Sequence, residues 1–150
     1  GIPVMAAHFF VFYFGIVADI TPPVALAAYA GSAIAKAPPM KTALNATKLA
    51  IAAFIVPYIF ALTPAMLLVN ATPLEVVQIV ISALIGLFGV AAALNGFLYR
   101  PINPLLRLLL IVGGLGMMVP GALSDVVGLV IVAGVVLYQR ASAMRAKTVD

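Results

Sequence analysis

From Ile2 to Ala35 the chain is almost wholly apolar, and its one strong interruption, Asp19-Ile20-Thr21-Pro22-Pro23, decides what the segment can become. In a continuous helix the carbonyls of Ala18 and Asp19 would accept from the N–H groups of residues 22 and 23, but both are proline and have none. Two oxygens are therefore expected to be bare. A residue before proline is pushed toward extended geometry, so Thr21 is expected to cap a second helical segment that restarts at Pro22. In hydrocarbon such irregular backbone survives only when it is buried in protein or lines a cavity. The negative end of the first half-helix, the freed carbonyls, the Thr21 hydroxyl and the Asp19 carboxylate together favour a hard cation. An anion at the restart is less favoured, because Pro22 and Pro23 remove two of its donors.

Composition sets the class around this break. The chain is 65% hydrophobic and 8% charged with a mean hydropathy of +1.26, whereas soluble domains carry about 25% charged residues. The expected fold class is all-α, a polytopic helical membrane protein whose N-terminal transmembrane helix is discontinuous. With no cysteine there is no disulfide, thiolate metal site or cysteine nucleophile. A single histidine and the lack of GxSxG, HExxH or a glycine-rich phosphate loop leave an enzyme without its parts. Gly1-Ile2-Pro3 leads straight into apolar sequence, so the chain reads as a piece of a longer polypeptide.

Measured against the roughly 20 residues that span a bilayer, five apolar stretches follow in order. The first is the broken helix over 2–35. The second, Leu49 to Val69 within a membrane helix placed at 42–69, carries Pro57 and Pro64, which are expected to kink it and free the carbonyls of Ala53 and Phe60. Over 74–150 three more helices are expected, at 76–98, 105–119 and 126–138, followed by a tail. The last two are short, and read as a tight hairpin or a re-entrant pair around Pro120 to Asp125. If stretches two to five each cross once, Lys36, Lys41, Lys48, Arg100, Arg107, Arg140, Arg145 and Lys147 share one side, which the positive-inside rule makes cytoplasmic together with the C-terminus. The net charge of +4 is then topology and does not call for nucleic acid.

The other polar and small residues have plainer readings. Asp19 could be an interfacial cap or pair with a lysine, but an ionisable residue at membrane depth is a functional hypothesis by default. His8 has no carboxylate near it in sequence, and Ser124 and Asp125 read as helix capping at the outer interface, with Arg107 at the opposite end of that hairpin. Ala27, Gly31 and Ala35 line one face of the restarted helix, with Ala28 and Ser32 beside them, so a neighbour can approach closely. Asn45-Ala46-Thr47 and Asn70-Ala71-Thr72 match the short glycosylation pattern, which carries little weight.

The run from His8 through the Phe-rich segment to Asp19-Ile20-Thr21-Pro22-Pro23-Val24-Ala25-Leu26-Ala27-Ala28-Tyr29-Ala30, then Pro39-Met40-Lys41-Thr42-Ala43 and Ala53-Phe54-Ile55-Val56-Pro57, carries a family resemblance. It resembles the C-terminal part of the large membrane subunit of tripartite ATP-independent periplasmic (TRAP) transporters, nearest to fused permeases that work with TAXI-type binding proteins. The resemblance covers roughly residues 1 to 70, and residues 74 to 150 resemble the extra C-terminal helices of such permeases only loosely. It implies a permease in a bacterial or archaeal cytoplasmic membrane. The implied activity is sodium-driven uptake of an organic anion, a carboxylate, delivered by a periplasmic TAXI-type binding protein, with elevator-like movement. It places the break near the sodium and substrate sites, which assigns Asp19, Ile20, Thr21, Pro22 and Pro23 to the site, with Gly15 and Ala18 as neighbours and Asp19 and Thr21 as sodium ligands. The other half of the family's inverted repeat is not in these 150 residues, so the remaining ligands are expected from the rest of the permease, and this segment alone should not transport. The alternative is a scaffold or assembly subunit packed against a separate transport core.

Overall fold

The structure, a computed structural model, describes residues 2–68, 71–119 and 121–147. Among the described residues there is no strand, only helices, tight turns and one isolated bridge. The chain divides into two compact units, Gly1–Leu67 and Leu68–Asp150.

The first unit holds α1 (Val4–Val17), α2 (Leu26–Ala35), α3 (Pro39–Leu49) and α4 (Ile51–Leu62), with 3-10 turns at Ala18–Ile20 and Pro64–Leu67. The expected break is present, because α1 ends at Val17 and regular helix does not resume until Leu26. The restart falls four residues later than Pro22. Pro23 disfavours helical geometry at the residue before it, so Pro22 cannot open a helix. The Ala25 N–H reaches back to the carbonyls of Thr21 at 3.0 Å and Ala18 at 3.2 Å.

Aromatic rings join α1 to α4. Phe10 and Tyr58 meet edge-on at 5.2 Å, Tyr13 and Phe60 at 5.5 Å, and Phe9 and Phe60 at 6.0 Å, pairs that contribute about 0.5–1.5 kcal/mol each beyond their burial. Small residues join α2 to α3, where Ala25, Ala28 and Ala43 are buried against Tyr29 and Ala46. The face expected to admit a close neighbour lies elsewhere: Ala27, Gly31 and Ala35 are exposed, and a methyl group added at Gly31 would meet nothing within 4 Å.

The helix expected over 42–69 is divided, and its bend is not at a proline. A turn of 40° at Ala50 separates α3, which bears Lys41, Asn45 and Lys48, from the apolar α4. There the ladder switches spacing, with Ala50 N–H on the Ala46 carbonyl and Ala53 N–H on the Ala50 carbonyl, both at 2.9 Å. Pro57 is buried inside α4, and Pro64 opens the turn after the helix has ended. Val69 and Asn70 lie outside the described residues.

In the second unit, α5 (Pro73–Asn95) begins at a capping box. Thr72 N–H donates to Glu75 Oε2 at 2.8 Å and Glu75 N–H to Thr72 Oγ1 at 3.4 Å. Gly96, at φ 70°, ends the helix, and the chain reverses through the Phe97–Pro101 bridge into α6 (Pro104–Gly116), capped by Asn103. At 13 residues α6 rises about 20 Å, short of the roughly 30 Å hydrocarbon layer. The fifth stretch is longer than expected: α7 runs Ala122–Lys147, so residues placed in a tail after Tyr138 continue the helix. Helices α5 and α7 are long and apolar enough to cross a membrane, and the bent α3–α4 pair could make a third span.

The second unit packs at backbone distance. Leu110, Ala93, Met117 and Val132 are buried together, and Gly86 of α5 faces Gly114 of α6 so closely that a Cβ on either would lie 2.5–2.6 Å from the other's carbonyl oxygen. Asp125 is not merely an interfacial cap. The buried Ser82 hydroxyl lies 2.6 Å from Asp125 Oδ1 and 3.1 Å from the Met117 carbonyl, so three helices meet at one proton. Arg107 is engaged at the far end, its Nε donating to the Ala93 carbonyl at 2.6 Å and its Nη2 to Leu94 at 3.3 Å, over the last turn of α5. Pro120 lies outside the described residues.

Candidate functional site

The site expected from the sequence is the chain between α1 and α2. Much of its backbone is satisfied by hydroxyl groups. Thr21 Oγ1 donates to the Val17 carbonyl at 2.6 Å and the Tyr29 hydroxyl to the Pro23 carbonyl at 3.1 Å, while Thr47 Oγ1 of α3 shares its one proton between the Ala43 carbonyl of its own helix at 3.0 Å and the Ile20 carbonyl at 3.2 Å. The Ala18 carbonyl, expected to be bare, accepts from both Thr21 and Ala25 N–H at 3.2 Å. The other expected orphan differs, since among the described residues no loop or cap N–H donates to the Asp19 carbonyl. Thr21 is also not the cap expected of it. Its φ of −110° and ψ of 126° are extended, as the following proline requires, but its hydroxyl turns back onto α1.

The electrostatics of the break are one-sided. Asp19 is exposed, and among the described residues it has no hydrogen-bond or ion-pair partner. It stands just past the C-terminus of α1, where aligned peptide dipoles already place partial negative charge. A hydroxyl that donates keeps its lone pairs, so Thr21 Oγ1 can still face a cation while holding Val17. The donor set near the break is thus one carboxylate, one hydroxyl and one uncommitted carbonyl, all hard oxygens of low total charge, which fits an alkali cation better than a transition metal. Among the described residues no three of His, Cys, Asp and Glu gather into a metal cluster. Three oxygens do not by themselves close a coordination shell.

The remaining site residues frame this group. Gly15 lies one turn before Asp19 on an exposed stretch of α1, with nothing within 4 Å of where a Cβ would sit. Ile20 and Pro22 are half-buried and Pro23 is exposed. The peptide between the two prolines is cis. Sequence reasoning missed Thr47 and Tyr29. Tyr29 had a weak signal, a phenol in an otherwise apolar helix that must find an acceptor, but nothing near Thr47 pointed 27 residues back to Ile20.

Residues 1–74 match the family model described as tripartite ATP-independent periplasmic transporter, DctM component. No curated protein and no solved structure matches the chain. The matched segment takes in the break, both of its flanking helices and the whole of the first compact unit. Residues 1–74 are thereby identified with the DctM component, the large permease component, of TRAP transporters.

Proposed function

We propose that this chain is part of a secondary active permease that imports an organic carboxylate with sodium, and that the break between α1 and α2 supplies part of the sodium site. The observation that carries the reading is the Asp19 carboxylate, without a partner among the described residues, at the negative end of α1 and two residues before a Thr21 hydroxyl oriented by Val17. Asp19 would supply the charge that pairs with the ion. Thr21 would supply a neutral oxygen whose position the Val17 bond fixes before the ion arrives, and the Asp19 carbonyl a third. The carboxylate of the substrate would then meet a cation and not a bare acidic group, which couples the two ligands electrostatically. A periplasmic binding protein, of the TAXI type by the sequence resemblance, would deliver that substrate. The basic ends of the helices, with the C-terminus, would face the cytoplasm.

The complete permease, reconstituted with its binding protein and assayed for uptake with and without a sodium gradient, tests this. Asp19→Ala with Thr21→Ala is expected to raise the sodium concentration for half-maximal uptake about tenfold or more, since charge-assisted contacts contribute ~1.5–3 kcal/mol. Unchanged sodium dependence in the double variant overturns the site.

A further inference from the structure

The second unit holds a polar cleft that the transport reading does not use. It has a volume of about 300 Å³ and lies where the α5–α6 connection meets the C-terminal half of α7. Among the described residues Arg100 is the one charged residue that lines it, and no acidic side chain does. The guanidinium is positioned by α7: Nη1 donates to Ser142 Oγ at 3.1 Å and to the Ser142 carbonyl at 3.3 Å. Both contacts use one nitrogen, so the Nε and Nη2 N–H groups of the planar fork carry no bond among the described residues.

Further donors converge on the same space. Asn103 accepts from Leu105 N–H through Oδ1, which leaves its NH2 group uncommitted at the start of α6, where the helix dipole favours negative charge. The Ser142 hydroxyl accepts from Arg100 and keeps its own proton. Gln139, on the wall of the cleft, is only 4% exposed, and its Oε1 is buried with no partner. A buried amide oxygen without a donor is costly by roughly 1–3 kcal/mol. Turning the amide exchanges its oxygen and NH2 positions, so Gln139 can offer a ligand either a donor or an acceptor.

We infer that this cleft binds a phosphate ester through Arg100, Asn103 and Ser142, with Gln139 bonding a hydroxyl of the same ligand. A planar guanidinium fork beside neutral donors is the arrangement that suits phosphate oxygens. The surroundings point to a phospholipid headgroup as the source. Tyr138, which lines the cleft, and Tyr99, next to Arg100 in the chain, are 61% and 50% exposed. Amphipathic rings of this kind at the end of a membrane helix sit at headgroup level, and basic pockets there hold anionic lipids. Phosphatidylglycerol combines the phosphate that Arg100 fits with the free hydroxyls that Gln139 lacks.

The full-length protein, equilibrated with vesicles of phosphatidylcholine alone or mixed with phosphatidylglycerol, is extracted, and the lipid it retains is counted by native mass spectrometry. Retention of phosphatidylglycerol over phosphatidylcholine is expected, with a loss of about tenfold or more in Arg100→Gln and an intermediate loss in Arg100→Lys, which keeps charge without the fork. Arg140→Gln, on α7 but outside the cleft, should retain lipid as the parent does. Inorganic phosphate and glycerol 3-phosphate form the second arm. If either saturates an Arg100-dependent site while lipid retention ignores Arg100, the phosphate site stands and its lipid source is overturned. Equal retention of both lipids by the parent and by Arg100→Gln, with no phosphate binding, overturns the whole inference. Arg100 is exposed, so the variants keep the fold, which circular dichroism verifies.

Discussion

Replacing Gly86 by alanine isolates what holds the second unit together. Its new Cβ would stand 2.6 Å from the Gly114 carbonyl oxygen, about 0.8 Å inside the 3.4 Å at which ordinary contact begins, and 3.3 Å from the Met117 Cβ. The obstructing atom is backbone, so no side chain can rotate away, and α5 must separate from α6. A gap of that size forfeits between a quarter and a half of the dispersion along the contact, and overpacking of this kind costs ~1–3 kcal/mol. Alanine returns up to ~1 kcal/mol as the better helix former, which leaves a net loss of up to about 2 kcal/mol. Gly114→Ala drives its Cβ to 2.5 Å from the Gly86 carbonyl oxygen, so it forces the same separation, and the double variant should lose less than the sum of the two. Reversible unfolding in mixed micelles, followed by circular dichroism, measures all three against Gly134→Ala, where a Cβ meets nothing within 4 Å and stability should hold or rise. If Gly86→Ala matches Gly134→Ala, backbone contact is not what fixes this helix pair.

Three further outcomes follow from hydrogen bonds. Thr47→Val strips the Ile20 carbonyl of its side-chain donor and should lower stability by ~1 kcal/mol or more, while Thr47→Ser keeps the hydroxyl and most of the stability; equal melting of the two variants would contradict the bond. Ser82→Ala leaves Asp125 Oδ1 and the Met117 carbonyl facing an empty donor position, for a loss of ~1–3 kcal/mol in the same unfolding assay, whereas Asp125→Asn retains an acceptor and should lose less. Arg107→Met keeps the packing of the aliphatic stem but exposes the last carbonyls of α5, so amide exchange should accelerate at the C-terminal turn of α5 and not at its capped N-terminus.

The break and its general consequence were legible because they depend on what proline lacks, and a missing N–H can be counted in a sequence. How the chain repairs the loss could not be counted. The Ala18 carbonyl is recovered by an N–H seven residues on, at Ala25, and the Ile20 carbonyl by Thr47 from another helix. Both depend on tertiary placement. The bend of the second stretch went to Ala50 and not Pro57 for a related reason. A proline removes one bond and can be absorbed inside a helix, whereas the change from the polar α3 to the apolar α4 alters the preferred surroundings of the whole segment. The length of α7 was hidden by composition, since Gln139 and Arg140 look like the end of a span, yet backbone bonding carries the helix on to Lys147.

The polar groups at the break therefore divide into those that repair backbone and one that repairs nothing. Thr21 and Tyr29 each spend a proton on a carbonyl of the break, and Thr47 shares its proton between that turn and its own helix, so each of the three has a structural task whatever else it does. Asp19 has no proton to give as a carboxylate, caps no helix and meets no cation among the described residues. In the membrane placement proposed above, such a charge carries a cost of roughly 2.5–3.5 kcal/mol on insertion scales, and no partner among the described residues offsets it. Structural demands would sooner have selected asparagine or serine at that position. Asp19→Asn is therefore expected to leave the thermal stability of the chain unchanged or raised while it weakens the coupling of uptake to sodium. A variant that unfolded while sodium coupling survived would assign the carboxylate to the fold and remove it from the ion site.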